Sequence, residues 1–237
     1  MCASYLFLNK MFSSSVIRLI VNGWVLIIFG GSTTNTNPGT GEWSHTLRPM
    51  LLTVTRSEEH VAFEATFDEC KKAAREYAGC IAQIDGCTMD RSDATALGLE
   101  NSLGHREATI GCFTHVDRNF VLQLTANGIT HECKGSWINR LELLRRAPSV
   151  PSFTFASLML LDELARKGMS DVADWFKKTY LNTTHGKFAY CHTKPGVQPM
   201  NQLLESVNAA IKDLIELYLN MGEFCEKGLP AILRYSN

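Results

Sequence analysis

Asp90 follows an apolar run at residues 80–89 and precedes a stretch that Ser92 or Asp93 can cap as a helix over 93–103, so a carboxylate sits where a strand ends and a helix begins. Glu205 sits on the shoulder of a second amphipathic stretch, beside the apolar stripe of Leu203, Leu204, Val207, Ala210, Ile211, Leu214, Ile215 and Tyr218. Phosphodiester cutting and joining needs such groups. Mg²⁺ prefers oxygen ligands and keeps several waters, and two ions about 3.5–4 Å apart stabilise the attacking and leaving oxygens. The protein then contributes acids from separate elements at one end of a sheet: an Asp at one strand end, an Asp at a later one, and an acid on a helix that packs back. Asp90 fits the second role and Glu205 the third. Each has a plainer reading as well. An Asp between strand and helix is a common cap, Asp85 and Asp93 compete for the role, and a Glu beside an apolar stripe often only faces solvent.

A second pattern is Cys112-Phe113-Thr114-His115, a C-x-x-H at the end of the strand-like run 107–113. Zinc takes four ligands, so this pair cannot saturate it. Cys191-His192 could complete a Cys₂His₂ set. The alternative is a buried cysteine and a hydrogen-bonded histidine.

The elements that would position these residues begin with two strands, 16–21 and 24–29, joined at Asn22-Gly23, a favoured hairpin turn. Residues 30–44, rich in Gly, Thr and Asn, read as a loop, and 45–55 as a third strand. A helix follows, with Ser57 as cap, Glu58 and Glu59 in the first turn, a stripe of Phe63, Phe67, Cys70, Ala74 and Tyr77, and Gly79 as its stop. Strand 80–89, helix 93–103, strand 107–113 and helix 115–127 come next. From 130 to 182 the pattern is all helical, with Trp137, Ile138, Leu141 and Leu144 on one stripe, a break at Pro148 and Pro151, a helix marked by Leu158, Leu161 and Leu164, and another by Val172, Phe176 and Tyr180. Residues 186–199 form a loop and the last long helix spans about 200–220. The order predicts an α/β frame with a mixed sheet, three antiparallel strands followed by βαβ-type units, and an all-helical insertion before the final helix.

Composition bounds the function. With 237 residues, 45% apolar and 20% charged, the chain can build a core. A net charge of −1 is unlike a DNA-coating protein, so nucleic-acid binding would need local patches. Lys71, Lys72 and Arg75, and Arg140, Arg145 and Arg146, are two such clusters; both read first as solvated helix faces. The eight cysteines are irregularly spaced and read as reduced thiols of an intracellular protein. Asn182-Thr183-Thr184 matches a glycosylation tripeptide that is common by chance. The apolar run 16–31 is interrupted by Arg18, Asn22 and Gly23, too short for the roughly 20 residues of a bilayer span and poor as a signal peptide. It reads as buried strand, with no membrane attachment.

Four segments in order resemble the transposase core of Mutator-like elements. They are Asn22-Gly23-Trp24 with the strand to Phe29-Gly30; Met89-Asp90-Arg91-Ser92-Asp93-Ala94, similar to the family's second-aspartate segment; Cys112 to Asn119, similar to its C-x-x-H; and Tyr190-Cys191-His192-Thr193-Lys194-Pro195-Gly196 leading to Asn201-Gln202-Leu203-Leu204-Glu205-Ser206-Val207-Asn208, similar to the signature around its catalytic glutamate. The resemblance implies an RNase H-like fold of the DDE type, with 1–13 outside the family, 14–128 the first part of the core, 129–185 the helical insertion, 186–222 the glutamate helix and 223–237 a tail. It implies Asp90 and Glu205 as Mg²⁺ or Mn²⁺ ligands, Asn201 and Asn208 as supporting residues, and Cys112 and His115, with Cys191 and His192, as structural residues or zinc ligands. It further implies cleavage and strand transfer on DNA, transposon ends as partners, homo-oligomers and a nuclear location.

The sequence departs from the family where it matters most. The family's first aspartate lies just before the Asn-Gly-Trp strand pair; here the stretch is Ser14-Ser15-Val16-Ile17-Arg18, and no acid occurs before Glu42. Ser14 holds roughly the place of that aspartate, and a neutral hydroxyl is a poor Mg²⁺ ligand. The glutamate signature is eroded to Met200-Asn201-Gln202, the upstream zinc and DNA-recognition regions of full transposases are not in the sequence, and residues 1–13 match nothing in the family. These departures predict a degenerate or fragmentary copy with impaired catalysis, or a non-catalytic DNA- or protein-binding module on the same fold.

Overall fold

The structure is a computed structural model that describes residues 12–18, 24–36, 39–41, 43–79, 84, 86–90, 92–104, 109–193, 209, 211, 213 and 220–230. It is a mixed α/β protein. The strands are β1 Phe12–Arg18, β2 Val25–Thr36, β3 Trp43–Thr55, β4 Cys87–Met89 and β5 Thr109–Gly111; the helices are α1 His60–Ala78, α2 Asp93–Leu103, α3 Phe113–Ala126, α4 His131–Arg145, α5 Val150–Arg166 and α6 Ser170–Phe176. The chain forms two compact units, residues 1–108 with 202–237, and residues 109–201. In the first unit the strands lie in the order β3-β2-β1-β4.

In the first unit, β1, β2 and β3 form an antiparallel meander, and β1 also pairs in parallel with β4. Val25, Leu26, Ile27, Ile28 and Phe29 are all buried, which is why this run is continuously apolar rather than alternating. Val25, Ile27 and Phe29 share a core with Phe63, Phe67 and Cys70 of α1, and the rings of Phe29 and Phe67 meet edge to face at 5.2 Å. Thr66 Oγ1 donates to Ala62 O at 2.7 Å and lies 2.9 Å from Thr53 Oγ1, tying α1 to β3.

Several boundaries differ from the sequence reading. β1 starts earlier, at Phe12, because its backbone is paired on both sides; the expected turn at Asn22-Gly23 lies outside the described residues. Residues 30–36, read as loop, continue β2 against β3 past a bulge between Phe29 and Gly30. Thr33 and Thr34 suit a strand, and the reversal falls near Gly41, whose φ of 69° needs glycine. Helix α1 starts at His60, with Glu59 at the cap position and no side-chain cap, rather than at Ser57. Tyr77 is exposed rather than part of the buried stripe, and Gly79 ends the helix in the left-handed conformation as expected. Of the run 80–89, Cys87–Met89 are strand; residues 80–83 and 85 lie outside the described set.

Helix α2 follows its sequence signals closely. Ser92 Oγ accepts from the Thr95 amide at 3.1 Å, and Gly104 closes the helix at φ 75°. α2 lies against α1 through Gly98, with Asn101 donating to Glu64 at 2.9 Å, Ser102 to Asp68 at 2.8 Å and Lys71 to the Ser102 carbonyl at 2.5 Å.

The second unit is helical apart from β5, and takes in β5 and α3 beyond the insertion read over 129–185. Its core gathers Phe113, Val116, Phe120 and Leu124 of α3, Trp137, Leu141 and Leu144 of α4, Phe153, Leu160 and Leu164 of α5, and Val172, Phe176 and Tyr180. The stripes read from spacing on α4 and α6 are buried, with Ile138 half-buried. On α5 the buried face is Phe153, Ser157, Leu160 and Leu164, while Leu158 faces out. Pro151 does not break the chain but sits in the first turn of α5, where no amide is needed. After α6 the chain widens to a π-helical turn, Lys177–Leu181, and Asn119 Nδ2 donates to Tyr180 Oη at 3.0 Å. No helix among the described residues is long and apolar enough to cross a membrane.

Candidate metal centre

Asp90 leaves β4, whose three residues are all buried, and is itself half-buried. The reading of Asp90 as a helix cap does not hold, because Ser92 takes that role with both the amide and the hydroxyl of Thr95. A tight turn follows Asp90, the Ser92 amide donating to its carbonyl at 2.7 Å. Of its competitors, Asp93 is exposed in the first turn of α2 and Asp85 lies outside the described residues.

Cys112 is the N-terminal cap residue of α3 rather than the last residue of a strand. It is buried, and its carbonyl accepts from the amides of His115 and Val116, both at 3.2 Å. His115 falls in the first helical turn, half-buried. Gly111 sets the position of Cys112. Its amide donates to Lys187 O at 3.0 Å, and a Cβ there would stand 2.8 Å from His185 O, so any larger residue would push β5 off the 185–187 segment.

Within the second unit, Cys112 and His115 offer one sulfur and one nitrogen within 4.8 Å of each other. Cys191 and His192 do not gather with Cys112 and His115 into a group able to hold a metal ion, so the expected Cys₂His₂ set is not assembled among the described residues. They sit in a short turn, Tyr190–His192. His192 Nδ1 accepts from the Ala189 amide at 3.3 Å and its ring meets Phe153 edge-on at 4.7 Å; burial, with Lys187 adding to it, holds its pKa below the usual value. Burial also pushes the Cys191 thiol up. Glu205, Asn201 and Asn208 lie outside the described residues. Ser14 is in β1, opposite Phe29 in the pairing with β2.

One residue read as solvated turns out otherwise. Arg145 has a side chain 12% exposed, stacked at 4.7 Å over Phe113 and 5.1 Å over Tyr190, and ion-paired to Glu142 at 2.5 Å. A charge at the end of a helix gives no sign in sequence that two rings will enclose it. Arg140 likewise forms a two-pronged pair with Glu163, at 2.7 and 2.5 Å. Lys72 and Arg75 are solvated as expected.

Asp117, two residues beyond His115, has an oxygen with no hydrogen-bond partner among the described residues. Burial first, then the Glu142 carboxylate, raise its pKa, while Arg145 opposes them. A carboxyl raised on folding contributes its stability below the unfolded pKa and loses it as pH climbs through the folded one. Asp117→Asn is therefore expected to match the wild type near pH 3 and to melt higher at pH 7. The gain is at most about 3 °C, because a partly exposed group is screened. Equal melting curves at both pH values would contradict the penalty.

No family model matches the chain, and no curated protein matches it either.

Proposed function

We propose that this chain is a transposase-derived core of the Mutator-like kind, RNase H-like in fold, that acts on or binds DNA and is impaired in phosphodiester cleavage. The observation that carries the reading is the pairing of β1 with β4. Phe12 is level with Cys87 and Ser13 with Thr88. One more step of that register sets Ser14 level with Met89, beside Asp90. A DDE-type site needs its first two carboxylates on two neighbouring strands in this manner, and here the first place holds serine. The strand order supports the same fold, with the long antiparallel meander on one side of β1 and the parallel strand on the other.

Two Mg²⁺ or Mn²⁺ ions, when bound, would supply charge stabilisation at the attacking and leaving oxygens. The donors present fit that pair incompletely. Asp90, directly after β4, supplies one carboxylate, the donor type that hard cations favour. The resemblance adds Glu205 as a further ligand. Asp90 can hold a cation at the sheet end, while Ser14 offers no charge to balance it. Transposon ends as partners, homo-oligomers and a nuclear location belong to the same reading.

Ser14 favours a second reading, a DNA- or protein-binding module on the same fold that has given up catalysis. The two separate on one assay. With Mn²⁺ and supercoiled plasmid, the wild type is expected to nick at background rate, Ser14→Asp to nick measurably, and Ser14→Asp with Asp90→Asn to return to background. Nicking that survives Asp90→Asn sinks the site assignment, and no nicking by Ser14→Asp favours the binding module.

A further inference from the structure

We propose that the Asn127-Gly128 turn between α3 and α4 is a site of spontaneous deamidation that the fold holds in check. Asn127 and Gly128 are adjacent and both exposed. A glycine after asparagine leaves the backbone nitrogen open to reaction, because no Cβ shields it. A Cβ built at Gly128 would meet nothing within 4 Å, so no other element crowds the turn either. In the reaction the Gly128 nitrogen loses its proton to solvent and attacks Cγ of Asn127. The N–Cγ bond forms, the Cγ–Nδ2 bond breaks, and the side-chain nitrogen leaves as ammonia. Water then opens the five-membered succinimide at either carbonyl carbon, giving aspartate or, with the chain rerouted through Cγ, isoaspartate. A water enters, an ammonia leaves, and nothing is oxidised or reduced.

The local structure keeps the two reacting atoms apart. Asn127 ends α3 at φ −93° and ψ 17°, and Gly128 follows at φ 76°. That ψ turns the Gly128 nitrogen away from Cγ, so ring closure needs rotation about the Cα–C bond of Asn127. Hydrogen bonds oppose the rotation. The Gly128 amide donates to Thr125 O and the Ile129 amide to Leu124 O, both at 3.0 Å, the paired bonds of a glycine-terminated helix end. Asn127 Nδ2 donates to Gln123 O at 2.9 Å, which holds the side chain back along the helix. Ile129 packs on the core that contains Leu124 and anchors the far side of the turn. Glycine is the residue that adopts positive φ without strain, so the residue that makes the asparagine reactive is the one the turn requires. Aspartate formed here puts a charge at the negative end of α3, and isoaspartate adds a backbone carbon that breaks the bond from Ile129 to Leu124.

Peptide mapping by mass spectrometry tests both the site and the restraint. The full chain is incubated in mildly alkaline buffer, folded and in urea, and the peptide holding Asn127 is followed for the exchange of NH for O and for isoaspartate. In urea that peptide is expected to convert, with isoaspartate among the products. In the folded chain conversion is slower by about tenfold or more, since three hydrogen bonds must open first. Ile129→Ala, which loosens the turn without touching the reacting atoms, speeds conversion in the folded chain and leaves the rate in urea unchanged. The proposal is overturned if Asn127 stays intact in urea, if folded and unfolded rates are equal, or if folded Ile129→Ala converts no faster than the wild type. Should Ile129→Ala fail to fold, the ratio of the two wild-type rates still decides. None of these readouts involves DNA or a metal, so failure here leaves the proposed function standing, and the converse also holds.

Discussion

Phe176→Ala is expected to cost about 3–5 kcal/mol of folding stability, the range for removing a large ring from a close-packed core. Phe176 is fully buried at the centre of the second unit, where its ring meets Phe120 at 5.5 Å, Tyr180 at 5.4 Å and Phe188 at 6.2 Å. These partners come from three separate segments, so the cavity cannot be closed by moving one side chain. Against a total stability of roughly 5–15 kcal/mol, the loss takes about a fifth or more of the whole. Urea unfolding checks it, with Phe176→Leu recovering most of the midpoint. A loss below about 1 kcal/mol would mean the ring is not packed as described.

Gly98→Ala should destabilise, against the usual gain of about 1 kcal/mol for that change in a helix. An added Cβ would stand 2.6 Å from Phe63 Cβ, 2.7 Å from His60 O and 2.8 Å from the Glu64 amide nitrogen. Two of those atoms are backbone, so the Cβ can fit only if α1 moves as a unit. That movement disturbs the Asn101–Glu64, Ser102–Asp68 and Lys71–Ser102 bonds. Overpacking of this kind costs about 1–3 kcal/mol and sometimes more, which outweighs the propensity gain. A thermal melt decides the sign, and a higher melting temperature for Gly98→Ala would show α1 and α2 to be further apart.

What the sequence made legible was mostly local. Ser92 and Gly104 bracket α2 because capping and the left-handed stop are written in adjacent residues. Of the apolar run read at 24–29, Val25 to Phe29 are buried strand, as a short unbroken apolar stretch beside turn residues suggests. The polar half of the β2–β3 hairpin was not legible, since threonine and asparagine serve loops and strand ends equally well. The candidate site was legible residue by residue but not as a group. Asp90 suggested a hard-cation ligand, and Cys112 with His115 suggested zinc completed by Cys191 and His192. Spacing along the chain cannot say which strand ends meet. In the fold His192 is engaged instead by the Ala189 amide and by Phe153. Arg145 was missed because stacking depends on Tyr190, far along the chain.

The proposed nuclease-type metal site at the sheet end around Asp90 lacks its first carboxylate. Calorimetry of Mn²⁺ binding to the metal-free chain, beside Ser14→Asp and Ser14→Asp with Asp90→Asn, tests it most directly. Weak binding by the wild type, binding tightened by about tenfold or more in Ser14→Asp, and loss of that gain in the double variant are expected. Identical Mn²⁺ isotherms for wild type and Ser14→Asp would contradict it.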